Sequence, residues 1–182
     1  MKSVMKRGMD KSGQFYLITA VVLAGVIIGI SAISNYSKKE NNPGLDEFKE
    51  EIRIESSKTL DYATNNQFNS TQTYWLMQNF TNYYVNSEER NGKDLYFIFG
   101  NNGNITVAGY QEGNKVVSIS SGSSQTTVTQ TPGNFTGGID PSVNAVVLSI
   151  DGNSYSFNLS QAENFYFVVS QNVGGGEYVV KG

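Results

Sequence analysis

The residue types that most often carry catalysis are scarce in this sequence, and this limits the chemistry that the chain can perform. Its 182 residues include no cysteine and no histidine. The usual ligands of zinc, copper, haem and iron–sulfur clusters are therefore missing. Neither a Ser-His-Asp triad nor a Cys-His pair can be built. We expect no cofactor and no metal ion, and we interpret the protein as a non-enzyme.

Carboxylates are the remaining groups with catalytic or metal-binding potential. Between Asp46 and Glu55 they are dense, but Lys49 and Arg53 alternate with them, which is typical of a solvated helix face and not of a calcium site. Later in the chain they are scattered, and their spacing pairs no two of them as acid and base: Asp94, Asp140, Asp151, Glu163 and Glu177. A membrane-tethered enzyme would need a carboxylate or hydroxyl mechanism that the sequence does not display.

Two short motifs resemble ligand-binding loops but fit turns better. Gly174-Gly175-Gly176 lacks the lysine and the following helix of a phosphate loop. Asp151-Gly152-Asn153 resembles the start of a calcium loop but has no distal glutamate. Because Asp-Gly here separates two alternating apolar runs, it predicts a tight hairpin turn.

Acceptor sequences for N-glycosylation recur along the chain. The triplet Asn-x-Ser/Thr, without proline in the middle, begins six times, at Asn35, Asn69, Asn79, Asn104, Asn134 and Asn158. Six is a mild excess over chance. Their placement fits a domain that is exposed to a glycosylation system outside the cell.

The longest apolar run determines where such a domain would be held. Phe15 to Ile33 is nineteen residues without charge or proline. As a helix it would span roughly 28 Å, close to the ~30 Å hydrocarbon core of a bilayer. Four basic residues precede it and favour a cytoplasmic N-terminus: Lys2, Lys6, Arg7 and Lys11. We therefore predict one membrane-spanning helix, with the rest of the chain outside.

Three processing routes fit this start. Ala32 and Ser34 are small residues of the kind that precede a secretory cleavage, although the apolar run is longer than usual for that route. An uncut signal anchor needs no cleavage site, and the length of the run allows it. The third route depends on the junction Lys11-Ser12-Gly13-Gln14-Phe15, where charge ends at a glycine-glutamine pair and the apolar run begins at once.

This junction resembles the class III signal peptide of archaeal type IV pilin-like proteins. The resemblance implies that a prepilin peptidase cuts between Gly13 and Gln14 and removes residues 1–13 as a leader. Residues 14–42 would stay on the mature subunit as a hydrophobic helix, first in the membrane and then in a filament core built by the assembly machinery. Ile18 stands where many type IV pilins carry a glutamate, so that family's registration carboxylate is absent here.

Gly25 and Gly29 are the residues of the apolar run best suited to helix packing. They lie four residues apart, and small residues at this spacing let helix backbones approach closely. Glycine is also common in ordinary membrane helices. The sequence leaves open whether this helix packs against copies of itself or is an ordinary membrane helix.

The remaining residues, 43–182, predict an extracellular α+β domain. Helical periodicity indicates helices at about 45–63 and 71–85. From about Asp94 a period of two predicts some seven strands in an antiparallel sheet or small β-sandwich, with Gly122 to Gly138 as an exposed strand or loop. One or two short helices would cover the sheet, and we assign the aromatic cluster of the second helix to that contact: Tyr74, Trp75, Phe80, Tyr83 and Tyr84.

The sequence as a whole favours a structural subunit of an archaeal type IV pilus-like surface filament. Self-association, the membrane, the prepilin peptidase and the assembly machinery are its expected partners, and the exposed β-domain would serve adhesion. The alternative is an uncleaved single-pass protein whose β-domain acts as a surface receptor or binding protein. A net charge of −3 provides no basic field for nucleic acid.

We predict that the mature protein begins at Gln14, because charge gives way to apolar residues directly after Gly13. N-terminal sequencing and the intact mass of native material measure this. A chain that starts at Met1 would favour the signal anchor, and one that starts near Asn35 would favour ordinary secretion.

Overall fold

A computed structural model of the protein describes residues 43–90 and 92–182. The leader, the apolar run, the Gly13–Gln14 junction, Gly25, Gly29 and Asn35 lie outside the described residues. The described part begins with two helices, α1 (Pro43–Asn65) and α2 (Ser70–Asn86), followed by a short 3-10 turn, Glu88–Arg90. Nine strands follow: β1 (Lys93–Asn101), β2 (Asn104–Gln111), β3 (Val117–Ser121), β4 (Ser124–Thr129), β5 (Gly133–Ile139), β6 (Ala145–Ile150), β7 (Asn153–Asn158), β8 (Asn164–Val173) and β9 (Gly176–Lys181).

The strands form two antiparallel sheets. The first has the order β5-β2-β1-β8-β9, and the second has the order β4-β3-β6-β7. The α+β class with a strand-rich domain is therefore confirmed. Within residues 43–90 and 92–182, no helix is both long and apolar enough to cross a membrane.

The first sheet is the middle of three layers. One of its faces packs against both helices through a cluster that includes Ile52, Tyr84 and Phe97. Its other face packs against the second sheet through a cluster that includes Ile98, Val107 and Leu148. The two clusters are possible because successive residues of a strand point to opposite faces, so one strand can serve two cores.

Helix α2 begins at a residue that satisfies the free amides of its first turn. Asn69 caps α2 with its side chain on the amide of Gln72, and the Gln72 side chain returns a bond to the Asn69 amide. In α1, exposed ion pairs join Glu50 to Arg53 and Glu55 to Lys58, which confirms that its acidic residues form a solvated face.

The face that α2 turns towards the sheet differs in part from the prediction. Its buried residues are Thr73, Met77, Thr81, Tyr84 and Val85, and Phe80 and Tyr74 pack partly against the same cluster. Trp75 is 57% exposed and Tyr83 is 64% exposed, so their assignment to the core was wrong. Residues eight apart are about 80° apart around a helix axis, so these two rings can both lie on its outward side.

The predicted hairpins are largely confirmed. Asp151 and Gly152 both have positive φ, as a two-residue turn of the favoured hand requires, and they join β6 to β7. Gly174 and Gly175 do the same between β8 and β9.

The number of strands was underestimated because Gly122 to Gly138 holds two strands, β4 and β5. Both are edge strands, and only a few of their side chains reach the core, among them Val128 and Phe135. Backbone hydrogen bonds to β2 hold β5 in the sheet, although its sequence has little apolar alternation. Gly137 also brings this edge close to the other sheet, since a Cβ there would lie 3.0 Å from Val128 Cγ1.

Candidate functional site

The strongest concentration of interacting charges lies at the end of the sandwich where β1 begins. Lys115, in the loop between β2 and β3, places its Nζ 2.9 Å from Asp94 Oδ2 and 2.5 Å from Glu177 Oε1. The side chains of Lys115 and Asp94 are only 15% and 11% exposed, whereas that of Glu177 is 39% exposed. An ammonium ion is thus held between two carboxylates at the margin of the core.

Asp94 is held in place by its position on β1. Its Oδ1 accepts a 2.7 Å hydrogen bond from the Glu112 amide, and its Oδ2 accepts one of 3.4 Å from Ser170 Oγ. The register pairs Asp94 with Ser170 on β8, which explains why these two side chains meet. These bonds orient the Asp94 carboxylate independently of Lys115.

The loop that carries Lys115 is held on both sides. Gln111 Nε2 donates to the Lys115 carbonyl at 3.0 Å and to the Thr131 carbonyl at 2.9 Å. On the other side, Asp151 Oδ1 accepts from the Val116 amide at 2.8 Å. Because the backbone of this loop is bonded to Gln111 at the end of β2 and to Asp151 in the β6–β7 turn, Lys115 occupies a defined position.

A small cavity adjoins the charges. It has a volume of about 20 Å³, enough for about one water molecule. Its lining is polar apart from Ile150: Lys115, Asp151, Asn153, Tyr155, Ser170 and Glu177. Among the described residues, the hydroxyl of the fully buried Tyr96 and Gln111 Oε1 have no hydrogen-bond partner.

The electrostatics of this end reflect burial and the surplus of negative charge. Burial acts to lower the pKa of Lys115, but its hydrogen bonds with Glu177 and Asp94 and the charges of both outweigh burial and raise that pKa. Burial, with added repulsion from Asp94, Glu177 and Asp151, raises the pKa of Tyr96. Lys115 is therefore held as an ammonium ion between the two carboxylates.

The glycosylation acceptors that the structure describes are all exposed. Asn69 caps α2, and Asn79 lies within it; Asn104 begins β2, Asn134 lies on β5 and Asn158 ends β7. Three of the five make side-chain bonds to neighbours: Asn69 accepts from the Gln72 amide at 3.0 Å, Asn104 donates to Asp140 at 3.4 Å and Asn134 donates to Asn86 at 3.3 Å. The acceptors are distributed over the domain and do not form one site.

A second concave surface lies between α2 and β5. It encloses about 190 Å³ and is lined by Gln78, Asn82, Val85, Ala108, Gly109, Asn134, Phe135 and Thr136. Its amide side chains suit hydrogen bonding to a polar molecule. This lining contains no ionisable side chain.

Sequence reasoning missed Lys115 and the two carboxylates, distant in sequence, that contact it. The spacing of the later carboxylates pairs no two of them, yet Asp94 and Glu177 meet on one lysine. The missed signal is a lysine placed directly before the apolar run that begins at Val116. Within the described ranges, no cluster of three or more acidic residues has the arrangement of a metal site.

Comparison of the chain with models of protein families, with curated proteins and with solved structures finds no match.

Replacing Lys115 with Met should lower the free energy of unfolding by about 2–4 kcal/mol, because it leaves two carboxylates without their counter-ion at a mostly buried position. Chemical denaturation monitored by circular dichroism measures the change. Lys58→Met is the matched control, since the Lys58–Glu55 pair is exposed and should be worth no more than about 1 kcal/mol. Equal losses in both variants would show that the Lys115 cluster has no special weight.

Proposed function

We propose that this chain is a structural subunit of an archaeal type IV pilus-like surface filament. The observation that carries the proposal is the junction at Gly13 and Gln14, followed at once by the uncharged run Phe15 to Ile33. Residues 1–13 would be removed as a leader, and the apolar run would form a long hydrophobic helix. That helix would hold the subunit in the membrane, N-terminus inside, and would then pack in the filament core.

The organisation of the domain supports this proposal. Both hydrophobic clusters draw on residues between Leu45 and Val180, so an α+β domain follows the apolar run after a short connection. A filament subunit needs this division between a segment that packs with its copies and a domain that coats the outside.

The surface of the domain also supports an external location. The five described acceptor asparagines are exposed, as glycan attachment requires. A chain without cysteine gains nothing from an oxidising environment, and its stability outside the cell depends on the two cores and the Lys115 cluster. Adhesion through the exposed β-domain is the contact that we assign to the filament surface.

A second candidate function is that of an uncleaved, membrane-anchored receptor or binding protein. The observations that favour it are on α2, where Trp75 and Tyr83 are exposed and the groove towards β5 presents amide side chains. Aromatic rings with a polar edge are common in binding surfaces. In this case the protein would act as a single subunit.

Replacing Gly25 or Gly29 with Leu should abolish filaments while the amount of subunit in the membrane stays normal. Leucine keeps the segment apolar enough to insert, but its bulk prevents the close approach that glycine allows between helices. Electron microscopy of filaments, beside quantification of the membrane-bound subunit, measures both effects.

The control is Ile27→Leu, which changes a residue on the opposite side of an ideal helix and should leave filaments intact. Unchanged filaments in both glycine variants would refute the packing assignment. A complete lack of filaments from the unmodified protein in its native host would favour the anchored receptor.

A further inference from the structure

We propose that the chain cross-links itself through an amide bond between Lys115 Nζ and Asp94 Cγ, with Glu177 as the proton-transfer group. The inference concerns the folded domain alone and does not rest on the proposed function. It starts from one arrangement: a lysine that touches two carboxylates at 2.9 and 2.5 Å, of which one is fixed and mostly buried and the other is more open.

The bonds to Asp94 assign different roles to its two oxygens. Oδ1 accepts the amide hydrogen of Glu112 at 2.7 Å, as the carbonyl oxygen of an amide would. Oδ2 faces Lys115 Nζ at 2.9 Å and is the oxygen that would leave. Ser170 Oγ, at 3.4 Å from Oδ2, is placed to donate to it during departure.

The reaction is a condensation that needs no co-reactant. Glu177 takes a proton from the Lys115 ammonium and so frees the nitrogen lone pair for attack on Asp94 Cγ. A bond forms between Nζ and Cγ, and the bond between Cγ and Oδ2 breaks. The two hydrogens lost by nitrogen leave with Oδ2 as one water molecule, and Glu177 returns to its ionised form. Net charge is unchanged, because one ammonium and one carboxylate become one neutral amide.

Burial and proximity both favour this bond. In water, an amine and an acid remain ionised and separate. Burial disfavours both ions, and in this cluster the contacts of Lys115 with Glu177 and Asp94 offset that cost only while the ion pair persists. The side chains of Lys115 and Asp94 are only 15% and 11% exposed. Tyr96, two residues further along β1 on the same face as Asp94, is fully buried. Two groups held in contact reach an effective concentration of roughly 10⁵–10⁸ M, which compensates for the excess of surrounding water. A neutral amide also removes the desolvation cost of a buried ion pair.

The bond would supply a covalent connection in a chain that has no cysteine. It would join the start of β1, the central strand of the first sheet, to the loop between β2 and β3. A chain segment of β1, its turn and β2 would become a closed ring, which restricts the unfolded state as a disulfide does.

The experiment is peptide mass spectrometry of the purified full chain, confirmed as folded by circular dichroism. After digestion with a glutamyl endopeptidase, which cuts after Glu112 and so separates the two residues, the expected result is one cross-linked species in which the peptides that contain Asp94 and Lys115 are joined, lighter than their sum by one water molecule. Trypsin should no longer cleave after Lys115. Fragment spectra must assign the link to these two residues, because loss of water by ring closure at Asp151-Gly152 would not support the proposal.

Three variants separate the cross-link from a simple ion pair. Lys115→Arg keeps the positive charge and Glu177→Gln keeps the hydrogen-bonding shape, and both should lose the cross-link while remaining folded. Glu55→Gln, which disturbs only the exposed Glu55–Lys58 pair, should retain it. Separate, unmodified Asp94 and Lys115 peptides from folded unmodified protein would overturn the proposal. A cross-link that persists in Glu177→Gln would overturn the role given to Glu177.

Discussion

The fold depends on one strand that is buried on both of its faces. Leu95, Phe97 and Phe99 of β1 contact the helices, whereas Tyr96 and Ile98 contact the second sheet. All five are fully buried. β1 is also bonded along both edges, to β2 and to β8. Neither the helix layer nor the second sheet can be completed without this strand, so its sequence constrains three layers at once.

The position of β1 also determines where the charged cluster lies. The strand leaves the core at its first residues, and Asp94 is therefore mostly buried, yet close to residues from neighbouring loops. α1 reaches the same end, since Phe48 of its first turns lies under Lys93 with Nζ 4.7 Å from the ring centre. The two cores and the cluster are thus consequences of one central strand.

The sequence allowed prediction of those elements whose signal is local. Alternating apolar residues at 95–99, the Asp151-Gly152 turn and the periodicity of Leu45, Phe48 and Ile52 each reflect contacts made by their own element. β4 and β5 were missed because an edge strand that is bonded along one side needs few apolar side chains. Trp75 and Tyr83 were misassigned because the core of α2 uses threonine and methionine, which sequence alone does not distinguish from surface residues.

The Lys115 cluster could not be predicted from the same information. Lys115 and Glu177 are 62 residues apart, and they meet because β8 lies beside β1, and β9 beside β8, in the sheet order. The loop is held by the side chains of Gln111 and Asp151, whose bonds exist only once the β4–β5 loop and the β6–β7 turn are in place. Residue spacing along the sequence does not predict a contact that depends on sheet order and on two loops.

Amide hydrogen exchange tests most directly the claim that β1 is the element on which both cores depend. The account predicts that the amides of residues 95–99 exchange only through global unfolding, more slowly than those of the edge strands β5 and β9. The helix layer and the second sheet should not lose their slowest-exchanging amides independently of β1. Exchange of β1 at the rate of β5 and β9, with protection retained elsewhere, would contradict the account.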